Sequence, residues 1–128
     1  MKSPREIYNA FEGKLVGSRK MKISVCQTLS KMPDKIVNFI TKKCWFFSSM
    51  EDAWAFTFTG NDLRDQHLIF LSDELLWEEK EKIEYTIAHE IGHVILGHRN
   101  SVLVRQTKKE INSQEQEADK FAKEYLWK

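Results

Sequence analysis

At 128 residues, 41% hydrophobic and 12% aromatic, the chain is long and apolar enough to bury the core of one domain, which excludes a disordered polypeptide. Its Lys and Arg (20) nearly balance its Asp and Glu (19) for a formal charge of +1, so there is no overall bias toward DNA, RNA or anionic lipid, although a local patch is compatible with it. No apolar run approaches the roughly 20 residues that a membrane helix needs, and no basic-then-apolar leader with a small-residue cleavage site is visible. Cys26 and Cys44 are too few and too far apart for a disulfide framework or a zinc knuckle, and read as small buried hydrophobes. A single domain over residues 1–128, in a reducing, cytoplasmic setting, is the expectation.

In chain order, Ile7, Tyr8, Phe11 and Leu15 recur at helical spacing and predict a short amphipathic helix near residues 4–16. Met32-Pro33-Asp34 predicts a second helix start, with Ile36, Val37 and Ile40 as its buried stripe. The period then changes. Cys44-Trp45-Phe46-Phe47 is a short apolar run, and Trp54, Phe56 and Phe58 alternate with smaller residues as a half-buried strand does. Gly60-Asn61-Asp62 reads as a turn, His67 to Leu71 as a third strand, and Ser72-Asp73 as a helix cap. A three-stranded, mostly antiparallel sheet follows from short strands in succession.

From Glu78 to Gly97, residues Ile83, Ile87, Ile91, Val94 and Ile95 share one helix face, and Gly97 serves as the stop. Residues 99–112 read as a polar connection holding the apolar plug Val102-Leu103-Val104. Ser113 with Gln116 then reads as a capping box opening a last helix, whose apolar face holds Ala118, Phe121, Ala122, Tyr125 and Leu126.

The chemistry is concentrated in His89-Glu90-Ile91-Gly92-His93, an H-E-x-x-H segment within the long helix. Positions four apart point within roughly 40° of each other, so two imidazoles so placed can reach one Zn²⁺. Both histidines fall off the Ile83–Ile87–Ile91 stripe, so they are not core filler. Glu90 is rotated aside, where a general base meets the water rather than the metal. Glu115 and Asp119, four apart on the last helix, would face the histidine pair if the two helices run antiparallel. Glu115 then completes a His₂Glu site with a position left for water, Glu117 being its competitor, and Asp119 would accept the free N–H of a ligand histidine. His98 lies nearly opposite the metal face if the helix continues past Gly97. His67 reads as a surface histidine beside the cleft, and Tyr85 as a packing residue one turn before His89.

These residues, His89-Glu90-Ile91-Gly92-His93, Leu96-Gly97-His98 and Glu115-x-Glu117-Ala118-Asp119-x-Phe121-Ala122, resemble the ImmA/IrrE family of metallopeptidases, within the wider class of gluzincins, over about residues 67 to 126. The resemblance implies a small zincin-like α+β domain, its sheet packed on the H-E-x-x-H helix. It implies zinc held by His89, His93 and Glu115, with Glu90 as catalytic base. It also implies a protein substrate, such as a DNA-binding transcriptional repressor or a toxin–antitoxin partner; the balanced charge and short apolar runs lead us to expect no direct nucleic-acid or membrane binding by this chain. The strand at 67–72, if it lies at an edge, would add an extended substrate by β-pairing. A catalytically inert zinc-binding interaction module is the alternative, with a purely structural zinc domain behind it.

Overall fold

The computed structural model describes residues 2–50, 55–57, 66–97 and 108–127. Among the described residues, three helices lie ahead of residue 44: α1 (Pro4–Ala10), α2 (Arg19–Leu29) and α3 (Asp34–Lys43). The strands are β1 (Leu15–Val16), β2 (Cys44–Met50), β3 (Ala55–Thr57) and β4 (His67–Ser72), followed by α4 (Asp73–Leu76), α5 (Lys80–Ile95) and α6 (Lys108–Leu126).

The N-terminal third is broken more finely than its apolar spacing predicts. α1 starts on a capping box, Ser3 accepting from the Glu6 N–H while the Glu6 carboxylate accepts from the Ser3 N–H. It ends by residue 10, and Glu12 (φ 50°) and Gly13 (φ 89°) turn the chain so that Leu15 enters a strand instead of a fourth helical turn. α2, capped by Ser18, is an additional helix beyond the two expected before the sheet. Pro33 sits at the N-cap itself and Asp34 begins α3.

The sheet corrects the sequence expectation. Among the described residues it has four strands in the order β1-β2-β4-β3; the β1–β2 and β2–β4 pairs are parallel, and β3 runs antiparallel against β4. The physical reason lies in β2 and β4 themselves. Cys44-Trp45-Phe46-Phe47 and Leu68-Ile69-Phe70-Leu71 are near-continuous apolar runs, the composition of strands covered on both faces, which is where parallel pairs occur. The connection between them is long enough for a crossover, and it carries β3 to the outer side of β4. β4 is therefore an interior strand, not the edge proposed for substrate pairing. The turn at Gly60-Asn61-Asp62 and the Val102-Leu103-Val104 plug lie outside the described residues.

On the core face, Phe46 of β2 sits level with Ile69 of β4, and with Cys44 and Leu71 they bury in one cluster with Ile7, Phe11, Val37, Ile40 and Ile87. Phe11 meets Phe46 edge-on, with ring centroids 5.7 Å apart. Burial pushes the Cys26 thiol up to about 11 and raises that of Cys44 further, as small core hydrophobes would be. Among the described residues, no helix is long and apolar enough to cross a membrane. The class is α+β, as expected, with six helices among the described residues.

Candidate metal centre

α5 supplies the two histidines. Its apolar stripe, Ile83, Ile87, Ile91 and Val94, is buried, while Leu96 closes the last turn and Gly97 (φ 69°) leaves it in the left-handed region. His89 and His93 emerge on the flank that meets α6. The contacts run in opposite senses along the pair: His93 and His89 meet Glu115, and Tyr85 meets Asp119 and Trp127. The helices are thus antiparallel, the arrangement under which the sequence sets Glu115 facing the histidine pair.

The start of α6 differs from expectation. Residues 108–112 are helical, so Ser113 lies inside the helix, where its hydroxyl donates to the Glu117 carboxylate at 3.4 Å instead of capping. Ser is favoured at caps because it can bond locally, and the same ability serves it in mid-helix. Glu115 consequently stands about two turns into α6, not in its first turn. Its bearing toward the histidines is unaffected, because the side-chain period is the same wherever the helix begins.

The structure brings His89, His93 and Glu115 together, their donor atoms all within 4.8 Å of one another. His89 Nε2 lies 2.7 Å from Glu115 Oε2, His93 Nε2 lies 3.1 Å from Glu115 Oε1, and the two Nε2 atoms are 3.2 Å apart. A tetrahedral zinc with bonds of about 2.0–2.1 Å has ligand–ligand edges of roughly 3.3 Å, so the triangle needs to open only slightly to fit. Glu117 is not part of the group.

The proton inventory points the same way. Asp119 Oδ1 accepts from the Tyr85 hydroxyl at 2.6 Å and from His89 Nδ1 at 2.9 Å. An ionised carboxylate can only accept, so the contact with Asp119 uses a proton on His89 Nδ1, while Nε2 faces the Glu115 carboxylate and the second Nε2. Two imidazole nitrogens and a carboxylate so placed are compatible with a bound cation such as zinc. Asp119 thus meets the His89 ring at Nδ1, on the opposite side from the Glu115 contact at Nε2. Tyr85 does more than pack. Desolvation, then its bond to Asp119, pushes its hydroxyl up to about 12, which keeps it a donor across the physiological range.

Glu90 follows His89 around the helix and is buried, with 7% exposure. His67 packs its ring toward Phe39 in β4's first position, and His98 lies outside the described residues. Sequence reasoning passed over Gly92. A Cβ there would meet Cβ, Cγ and Cδ1 of Phe121 at 3.1–3.2 Å, so glycine is what lets α6 approach α5 this closely. The available signal was the small residue inside the H-E-x-x-H segment itself.

Residues 81–128 match the family model described as Peptidase U49. The segment contains α6 and nearly all of α5, and with them every residue of the centre. The similarity is to a peptidase family, and not specifically to the ImmA/IrrE family that the motifs resemble. No curated protein and no solved structure matches the chain.

Proposed function

We propose that the chain is a zinc-dependent peptidase acting on a protein or peptide substrate, with Glu90 as general base. The observation that carries the reading is the convergence of His89 Nε2, His93 Nε2 and the Glu115 carboxylate, within the segment similar to a peptidase family. Zinc held by these three residues would supply Lewis acidity, favouring ionisation of water and polarising the scissile carbonyl. The remaining work falls to the chain. Asp119 holds the His89 proton on Nδ1 and so fixes the ring with Nε2 facing inward, and Tyr85 holds Asp119. The Glu90 carboxylate takes a proton from the attacking water as its oxygen bonds to the carbonyl carbon. The same proton passes to the amine nitrogen as the C–N bond breaks. β3, the outermost of the described strands on its side of the sheet, packs against α5 and offers an edge for an extended substrate in place of β4. A DNA-binding repressor or a toxin–antitoxin partner is the substrate class the motif resemblance favours.

Metal content and cleavage of an unfolded protein substrate test this together. Glu90→Gln is expected to keep zinc and lose cleavage, whereas His93→Ala and Glu115→Ala lose zinc. Wild-type protein prepared without chelator that never takes up zinc overturns the reading. Zinc uptake with no cleavage of any protein leaves an inert zinc-binding module, and cleavage by Glu90→Gln removes Glu90 from its role.

A further inference from the structure

The near-zero net charge conceals a division. Residues 1–43, which form α1, β1, α2 and α3, carry ten Lys and Arg against three Asp and Glu, a net +7; residues 44–128 carry ten against sixteen, a net −6. The positive charge is not spread evenly over the helices. A cavity of about 550 Å³ opens between α1 and α2, lined by Arg5 and Tyr8 from one side and Arg19, Lys22 and Ile23 from the other, with no carboxylate among its described lining residues. A second, of about 460 Å³, lies across α2 toward the start of α5; it shares Arg19 and Ile23, adds Lys20 and Lys80, and has Glu78 as its one acid. Ile23 is thus the ridge between two basic hollows.

The same ridge exposes large apolar side chains. Tyr8 is 48% exposed, Ile23 45% and Trp77 86%, and Lys20 Nζ stands 6.0 Å from the Trp77 ring. Single exposed hydrophobes are ordinary, but Tyr8 and Ile23 line the two basic hollows, and Trp77 lines a third beside them with Lys20 and Asp73, so apolar and charged groups adjoin across one surface. A nucleic-acid backbone would use the cations and leave Ile23 and Trp77 against phosphate, with no gain from covering them. A helix with apolar side chains on one face and carboxylates flanking them would use both.

We propose that the α2 ridge, with Tyr8, Ile23 and Trp77 as apolar anchors and Arg5, Arg19 and Lys22 as the charged rim, docks an acidic amphipathic segment of a partner protein. None of its lining residues belongs to the His89–His93–Glu115 group, so the site stands whether or not the chain is a peptidase. The probe is a fluorescein-labelled helical peptide of about 16 residues, with Leu at i, i+4 and i+7 positions and Glu on the flanks. Fluorescence anisotropy with the full chain should show saturable binding that weakens as salt rises. Arg5→Glu with Lys22→Glu is expected to weaken it by at least about tenfold, as is Ile23→Ser, with circular dichroism and zinc uptake unchanged. Zinc uptake separates this surface from the metal centre, because His93→Ala should leave peptide binding intact. Several results would overturn the proposal: no binding, equal binding of the peptide with Leu replaced by Ser, or no effect of the charge reversal. Tighter binding of a short DNA duplex would reassign the ridge to nucleic acid. Self-association of the chain that the same variants abolish, without peptide binding, would assign it to a second copy.

Discussion

Adding one methyl group at Gly92 should destabilise the fold while sparing most of the zinc affinity, in amounts that can be worked out beforehand. The new Cβ would sit 3.1–3.2 Å from three atoms of Phe121, one of them the Phe121 Cβ. That atom is bonded directly to the α6 backbone, so no rotamer change removes it, and Phe121 is itself buried at 7% exposure. The helices must separate by a few tenths of an ångström. Overpacking of this kind costs about 1–3 kcal/mol. Replacing Gly by Ala in mid-helix returns about 1 kcal/mol of propensity. Overpacking wins, and Gly92→Ala is expected to destabilise by about 1 kcal/mol, a fall of roughly 4 °C in melting temperature. The displacement also moves Glu115, which shares α6 with Phe121, away from His89 and His93. A shift of a few tenths stays inside the roughly 0.5 Å that ligand geometry tolerates, and zinc needs the donor triangle slightly more open, so zinc affinity should change by less than about tenfold. Thermal unfolding with and without chelator, together with chelator-competition titration of zinc, reads both quantities. Phe121→Ala removes two of the three atoms that the new Cβ meets, so it should cost less in the Gly92→Ala background than alone, a favourable coupling between the two positions. A Gly92→Ala protein that melts above wild type would refute the packing argument.

Asp119→Asn should weaken zinc binding by about 10–100-fold, because the amide no longer supplies the charge that holds the His89 proton on Nδ1, and an unchanged affinity would remove Asp119 from that role. Tyr85→Phe, which deletes one donor to the same oxygen, should cost about 0.5–1.5 kcal/mol in the same titration. Both thiols should be unreactive toward a disulfide reagent in native protein near pH 8. Because burial raises their pKa, labelling of Cys26 should accelerate only as pH climbs toward about 11, and rapid native labelling near neutrality would contradict that burial. Glu84, 4% exposed, is bonded to Lys31 Nζ at 2.6 Å, while its Oε2 has no hydrogen-bond partner among the described residues. Lys31→Ala should therefore destabilise by about 1–3 kcal/mol, less than breaking a fully buried pair because Lys31 is itself half-exposed. Denaturant unfolding checks it, and Glu84→Leu in the same background should restore most of the loss if the stranded carboxylate is the cause.

The metal-capable group was legible in the chain because it is built from short-range rules. His89 and His93 share a helix face at any position along the helix, and Glu115 and Asp119 keep their mutual spacing even though α6 begins at Lys108 and not at Ser113. A misplaced cap therefore did no damage. Tyr85 was half legible: its place one turn before His89 was plain, but the Asp119 oxygen that its hydroxyl reaches lies 34 residues away along the chain. The N-terminal helices were read less well, since the apolar spacing from Ile7 to Leu15 fits a helix until the positive φ at Glu12 and Gly13 ends it.

What the sequence by itself determined is the donor set: two imidazoles, a carboxylate and the carboxylate behind them, each placed by the period of a helix. Only the tertiary structure decided how the strands pair and how near the two helices lie. Strand partners are chosen by non-local burial, and the apolar runs of β2 and β4 drew them together in parallel while β3 was left at the rim. The approach of α6 to α5 depends on the absence of one side chain at Gly92 against Phe121, a contact between residues that no local pattern connects.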